Sequence, residues 1–137
     1  MSVFDTLRIA ASGLTAQRLR MDVAASNLAN VDTTATPEGG PYKQESVLFS
    51  TYQVGADAAG RGVVATAILT PDATVKRVYE PRNPGADADG YVLYPDVDMA
   101  AQLADLLGAS RSFGVASTVA QAAKQTALDS IELGRRG

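Results

Sequence analysis

Between Ser2 and Asp32, apolar residues recur at Phe4, Leu7, Ala11, Leu14, Met21, Ala25 and Leu28, with Arg18 in the one polar slot. Steps alternating between three and four are the heptad signature of a helix that packs lengthwise on another. About 30 residues of helix span roughly 45 Å. A rod of that length cannot bury its stripe by folding back on itself, so the sequence must hold or borrow a partner. Ser2 followed by Asp5 predicts a capping box at the start. Asn30 to Thr33 predict the end, because their side chains compete for backbone hydrogen bonds. Gly13 interrupts the interior at about 1 kcal/mol relative to Ala. A tolerated glycine and the close approach of a neighbouring backbone both account for it.

A second long helix is predicted from a cap at Asp96 or Asp98 to about Leu133, with Gly134 as the terminal cap and Arg135 and Arg136 on the negative end of the dipole. Its stripe reads Met99, Leu103, Leu106, Ser110, Phe113, Ser117, Ala120, Lys124, Ala127 and Ile131. Leu107, Val115, Val119 and Leu128 lie on other faces. One partner helix covers one stripe, so residues spread in this way predict several neighbours. Between the helices, residues 42–54, 62–69, 75–79 and 91–94 are rich in β-formers. Gly55 to Gly62 and Pro71-Asp72 read as turns, and residues 33–41 and 81–90 as Pro/Gly loops. The expected fold is mainly α with a small β insertion. Its long terminal helices pair as an elongated coiled-coil-like hairpin: 1–34 as the N-terminal helix, 35–95 as the β-rich insertion, and 96–137 as the C-terminal helix packing on 1–34.

Composition removes chemistry more than it adds any. The 137 residues contain no Cys and no His, which excludes the usual zinc ligands and Cys–His or Ser–His–Asp catalysis. Twelve basic residues face fifteen acidic ones, a poor balance for nucleic-acid binding. Aromatics are 6% and Trp is absent, so any core leans on Ala, Leu and Val. No run approaches the roughly 20 apolar residues of a membrane span, and no cleavable secretory signal is legible.

The remaining motifs are fragments. Gly55 and Gly60, five apart and followed by Arg61, lack the Lys and Ser/Thr of a phosphate loop. Asp87-Ala88-Asp89-Gly90 is half of a calcium loop without its closing Glu. Glu38, Glu45 and Glu80 have nothing to set them as an acid/base pair. Arg18 and Lys124 are either solvated or select partner and register. No cofactor, metal site or catalytic residue is expected.

The run Ser12-Gly13-Leu14-Thr15-Ala16, followed by Ala25-Ser26-Asn27-Leu28-Ala29-Asn30-Val31-Asp32-Thr33, resembles the N-terminal signature of bacterial flagellar axial proteins of the rod, hook and hook-associated kinds. Tyr91 to Asp98 and Ala109-Ser110-Arg111-Ser112-Phe113 resemble the family's C-terminal end. The short insertion, Gly40-Pro41-Tyr42-Lys43 and the loop from Asp87 to Val92 are most similar to its proximal-rod members. The sequence departs from the pattern at Ala116, where Asn is usual, and at Gly114.

The resemblance implies a non-enzymatic structural subunit of the basal body in the periplasm. It implies export by the flagellar type III apparatus without a cleaved signal, and transmission of torque around the export channel. The implied partners are further copies, other rod subunits and the membrane-ring or rod-adaptor proteins, with no nucleic acid and no membrane insertion. The residues expected to carry assembly are Phe4, Leu7, Leu14, Met21, Leu28, Leu103, Leu106, Phe113 and Ile131. The motif positions are Ser12, Gly13, Leu14, Asn27, Leu28, Asn30, Arg111 and Phe113. Another axial subunit, or a secreted coiled-coil adaptor, would share the same helical pattern.

Overall fold

The structure, a computed structural model, describes residues 2–55, 60–71 and 75–136. Helix α1 runs Val3–Ala29 and helix α2 runs Met99–Arg136. Between them lie β1 (Ser46–Gln53), β2 (Arg61–Leu69), β3 (Val75–Tyr79) and β4 (Tyr91–Pro95). The chain is mainly helical with a small β part, in two separate antiparallel pairs, β1–β2 and β3–β4.

Local chemistry sets the helix ends. At the start of α1 the Ser2 hydroxyl accepts from the Asp5 N–H at 3.1 Å, while the Asp5 carboxylate accepts from the Ser2 N–H at 2.9 Å. This reciprocal box satisfies two N–H groups that the first turn leaves free. Hydrogen bonding from Ser2, its backbone first, holds the Asp5 carboxyl below the usual range. Asn30 closes α1: its N–H reaches the Ser26 carbonyl at 3.1 Å and its side-chain amide donates to the same oxygen at 2.9 Å. Of the two cap candidates for α2, Asp98 takes backbone N–H groups of Ala100 and Ala101 at 3.0 and 3.2 Å. Gly134 does not end α2, which continues to Arg136. No cap geometry opposes continuation, and a single glycine costs only about 1 kcal/mol.

The two helices pack antiparallel. Asn27 meets Gln102, Arg20 forms an ion pair with Asp105, and a Cβ built on Gly13 would lie 3.8 Å from Ala116. The structure builds this seam from a different set of residues than the leucine stripe. On α1 the buried positions are Ala10, Ala16, Val23, Ala24 and Asn27, and on α2 they are Gln102, Ala109 and Ala123. Small side chains let two helix backbones lie close, whereas a row of leucines would hold them apart. The separation at Gly13 is ordinary contact, so α2 does not demand a glycine there.

The β1–β2 hairpin lies along α1. Ser12 ties it down, accepting from the Val63 N–H at 3.1 Å while donating to the Ile9 carbonyl at 2.7 Å. Val54, at the end of β1, is 2% exposed. The register shifts between Leu48 and Phe49, which leaves Thr66 unpaired in β2. The Thr66 hydroxyl donates back to the Leu48 carbonyl at 3.2 Å, a bulge that curves the ribbon. Of the predicted turns, the stretch Ala56–Ala59 within Gly55 to Gly62 and Asp72 of Pro71-Asp72 lie outside the described residues. The β3–β4 hairpin leads directly into α2, and its strands do not pack along either helix.

Candidate assembly interface

Asn27 is the polar centre of the molecule. It is 1% exposed, yet every hydrogen-bonding position of its amide is used. The NH2 group donates to the Glu45 carbonyl at 2.8 Å and to Gln102 Oε1 at 3.0 Å. Its oxygen accepts from the Glu45 N–H and from the Tyr42 hydroxyl, both at 2.9 Å. One side chain of α1 thus holds the entry to β1 and the first turns of α2 together. Asn30 stays within its own turn, bonding the Ser26 carbonyl and accepting from the Thr33 hydroxyl at 3.1 Å.

The expected assembly residues are not among the fully buried positions of this seam. Phe4 is 69% exposed, Leu103 47% and Ile131 62%. Leu7, Leu14, Met21, Leu28, Leu106 and Phe113 are half-buried, and Arg111 is exposed. Once the alanine seam is formed, Phe4 of α1 remains exposed, and Leu7, Leu14, Met21 and Leu28 keep part of their surface uncovered. The end of α2 carries Leu128, Ile131 and Leu133, at 48%, 62% and 71% exposure. The hairpin adds Leu48, Val64 and Ile68 on the face turned from α1. An apolar notch of about 360 Å³ opens where the three elements meet, lined by Thr6, Ile9, Gly13, Val63, Ala116 and Val119 among others.

The extent of this surface is measurable. The chain exposes 9238 Å², where a compact monomer of its mass exposes about 6,800 Å². Contiguous apolar surface beyond a few hundred Å² marks a contact surface, and the exposed large apolar side chains lie on both helices and both strand pairs.

The chemistry-like fragments resolve into local structure. Asp87 Oδ1 accepts from the Asp89 and Tyr91 N–H groups, each at 2.9 Å, closing the loop on itself. Those bonds, from Tyr91 first, hold its carboxyl below the usual range. Arg77 lies over the Tyr91 ring at 4.4 Å, and Tyr79 meets the same ring edge-on at 5.3 Å. Glu80 accepts from Asn83 at 2.8 Å and from the Tyr94 hydroxyl at 3.2 Å. Burial, then the Glu80 charge, pushes the Tyr94 phenol up. Glu38, Glu45 and Glu80 sit on separate segments. Among the described residues no cluster of three or more His, Cys, Asp or Glu could hold a metal ion. No described helix is long and apolar enough to cross a membrane.

Sequence reasoning did not anticipate that Ser12 would pin β2, or that Gln102 and Tyr42 would complete the Asn27 cluster. A polar residue set between Ala101 and Leu103, as Gln102 is, was the available signal, but it could not identify its partner.

Residues 7–35 match the family model described as "Flagella basal body rod protein". The chain is 39% identical to the flagellar basal-body rod protein FlgC of Salmonella typhimurium over 135 residues, covering 98% of this chain and all of that one. It is 36% identical to FlgC of Bacillus subtilis, with the same coverage of both chains. It is 35% identical to FlgC of Borreliella burgdorferi, over 90% of this chain and 92% of that one. With this similarity along nearly its whole length, the chain belongs to the FlgC family of flagellar basal-body rod proteins and is a structural subunit, not an enzyme.

Proposed function

We propose that the chain occupies the proximal rod, within the periplasm, and builds the tube through the outer sides of its terminal helices. Residues 1–34 and 96–137 form the axial part, a coiled-coil-like pair toward the channel. Residues 35–95 brace neighbouring subunits outside it. Phe4, Leu7, Leu14, Met21, Leu28, Leu103, Leu106, Phe113 and Ile131 meet other rod subunits and further copies. The end contacts reach the membrane-ring or rod-adaptor proteins. The subunit travels through the type III export apparatus without a cleaved signal, and in place it passes torque to the next layer.

The observation that supports this reading is the apolar surface left once the alanine seam is made: Phe4, Leu103 and Ile131 stay exposed, and Leu7, Leu14, Met21 and Leu28 are only half-buried. A heptad stripe that its own chain covers only in part has burial to offer another. Replacing Leu14 by Asp places a charge on that stripe at a half-buried position that is not one of the fully buried seam residues. The expected result is a subunit that is still exported, detected outside the cytoplasm by immunoblot, in cells that build no rod and do not swim. Normal swimming would refute the interface. Labelled density in isolated basal bodies tests the position, and density away from the membrane-proximal end would assign the chain to another part of the rod.

A further inference from the structure

We infer that Asn27 and Gln102 together set the register in which α2 lies on α1. The reason lies in what the rest of the seam cannot specify. Ala109, Ala116 and Ala123 are spaced seven apart on the side of α2 that faces α1, with Ala109 fully buried and Ala123 nearly so. Sliding α2 by one heptad, roughly 10 Å, brings Ala109 or Ala123 to the place of Ala116. Gly13 therefore meets an alanine in all three registers. The Arg20–Asp105 pair is more than a third exposed on both sides, and such pairs discriminate weakly.

The buried amides do not share this indifference. In the observed register the Asn27 NH2 donates to Gln102 Oε1 at 3.0 Å, with Gln102 9% exposed. One heptad away, Asn27 would face Ala109 or Pro95, neither of which carries a side-chain acceptor. Both amides would lose their partner inside the seam, which is far costlier than leaving a polar pair in water. A single buried polar position that fixes register in an otherwise apolar helix pair is a well-attested device. Here it has a second effect. Asn27 also binds both backbone groups of Glu45, so the register of α2 and the start of β1 are fixed by the same side chain.

The absence of cysteine from the chain makes the test direct. A Gly13→Cys/Ala116→Cys pair reports the observed register, because Cβ atoms about 3.8 Å apart suit a disulfide. Gly13→Cys with Ala109→Cys, or with Ala123→Cys, reports the two slipped registers. Each pair is placed in the full-length chain and equilibrated in a glutathione redox buffer. Its effective concentration is read from the fraction cross-linked, alongside helix content by circular dichroism.

With Asn27 and Gln102 present, the 13–116 pair should exceed each slipped pair at least about tenfold. In the Asn27→Leu/Gln102→Leu background, where no orphaned amide remains to unfold the seam, helix content should hold while the three pairs come within about threefold. An Asp105→Ala control should keep the tenfold preference. Persistence of that preference in the double-leucine background would overturn the inference. So would its absence from the parent chain, or loss of helix in the double-leucine chain, which would assign the pair to stability and not to register.

Discussion

Replacing Asn27 by Ala isolates the polar centre of the fold. The substitution removes four hydrogen bonds, but their loss is unequal. The Tyr42 hydroxyl keeps the Ser26 hydroxyl at 3.3 Å. The N–H and carbonyl of Glu45 are half-buried and can recover water. Gln102 Oε1 sits in a residue only 9% exposed and loses its partner outright. An orphaned buried polar group costs about 1–3 kcal/mol. One full orphan and two partly hydrated ones come to about 3 kcal/mol. A chain of this size has about 5–15 kcal/mol in total. Asn30→Ala is the internal control. It removes bonds to the carbonyl of its own helix and to one hydroxyl at the surface, and should cost about 1 kcal/mol. Urea titration of the full-length protein, followed by circular dichroism, should lower the Asn27→Ala midpoint by about 2 M with little change in slope. The Asn30→Ala shift should be about a third of that. Equal shifts for the two variants would refute the assignment of Asn27 as the tie between α1, β1 and α2.

Two further outcomes follow from the local geometry. Gly90 has φ of 84°, and a Cβ there would lie 2.9 Å from the Tyr79 ring and 3.2 Å from Pro81 Cβ. Gly90→Ala should therefore cost about 2 kcal/mol, chiefly from the left-handed backbone. Because β3–β4 packs along neither helix, the loss should appear as faster proteolysis within 80–90 at unchanged helix content, and unchanged cleavage would count against it. The Asp5 carboxyl has its folded pKa depressed by Ser2. Its contribution is thus present above the unfolded carboxylate value of about 3.9 and lost as pH falls through the lower folded value. The gap in urea midpoint between the parent chain and Asp5→Asn should close as pH falls from about 5 through the lowered folded value, whereas a constant gap would show that the box does not depend on the charge.

Much of the architecture was legible because it depends on local chemistry. The Ser2–Asp5 box, the stop at Asn30, the four β segments and the two long helices all follow from residues within a turn or a strand of each other. So did the general role: heptads with surplus apolar faces imply assembly, and the run Asn27 to Thr33 with its C-terminal counterpart pointed to the flagellar family. Strand boundaries moved inward at β1, because residues 42–45 are used to reach Asn27 before any ladder begins.

Which apolar face meets which partner was not legible. Periodicity reports that a stripe is to be buried and carries no information on whether the burial is within the chain. The leucines of α1 give the stronger periodic signal, yet the alanines and Gly13 form the intrachain seam, since only small residues admit a second helix at close range. Likewise the pairing of Asn27 with Gln102, 75 positions apart, depends on how far the chain travels through β1–β4 before α2 begins. Both helix starts, the stop of α1 at Asn30, the strand segments and the need for partners came from the order of residues alone. The choice of residues for the seam, and the buried Asn27–Gln102 pair that joins the elements, were decided only when the two helices were laid against each other.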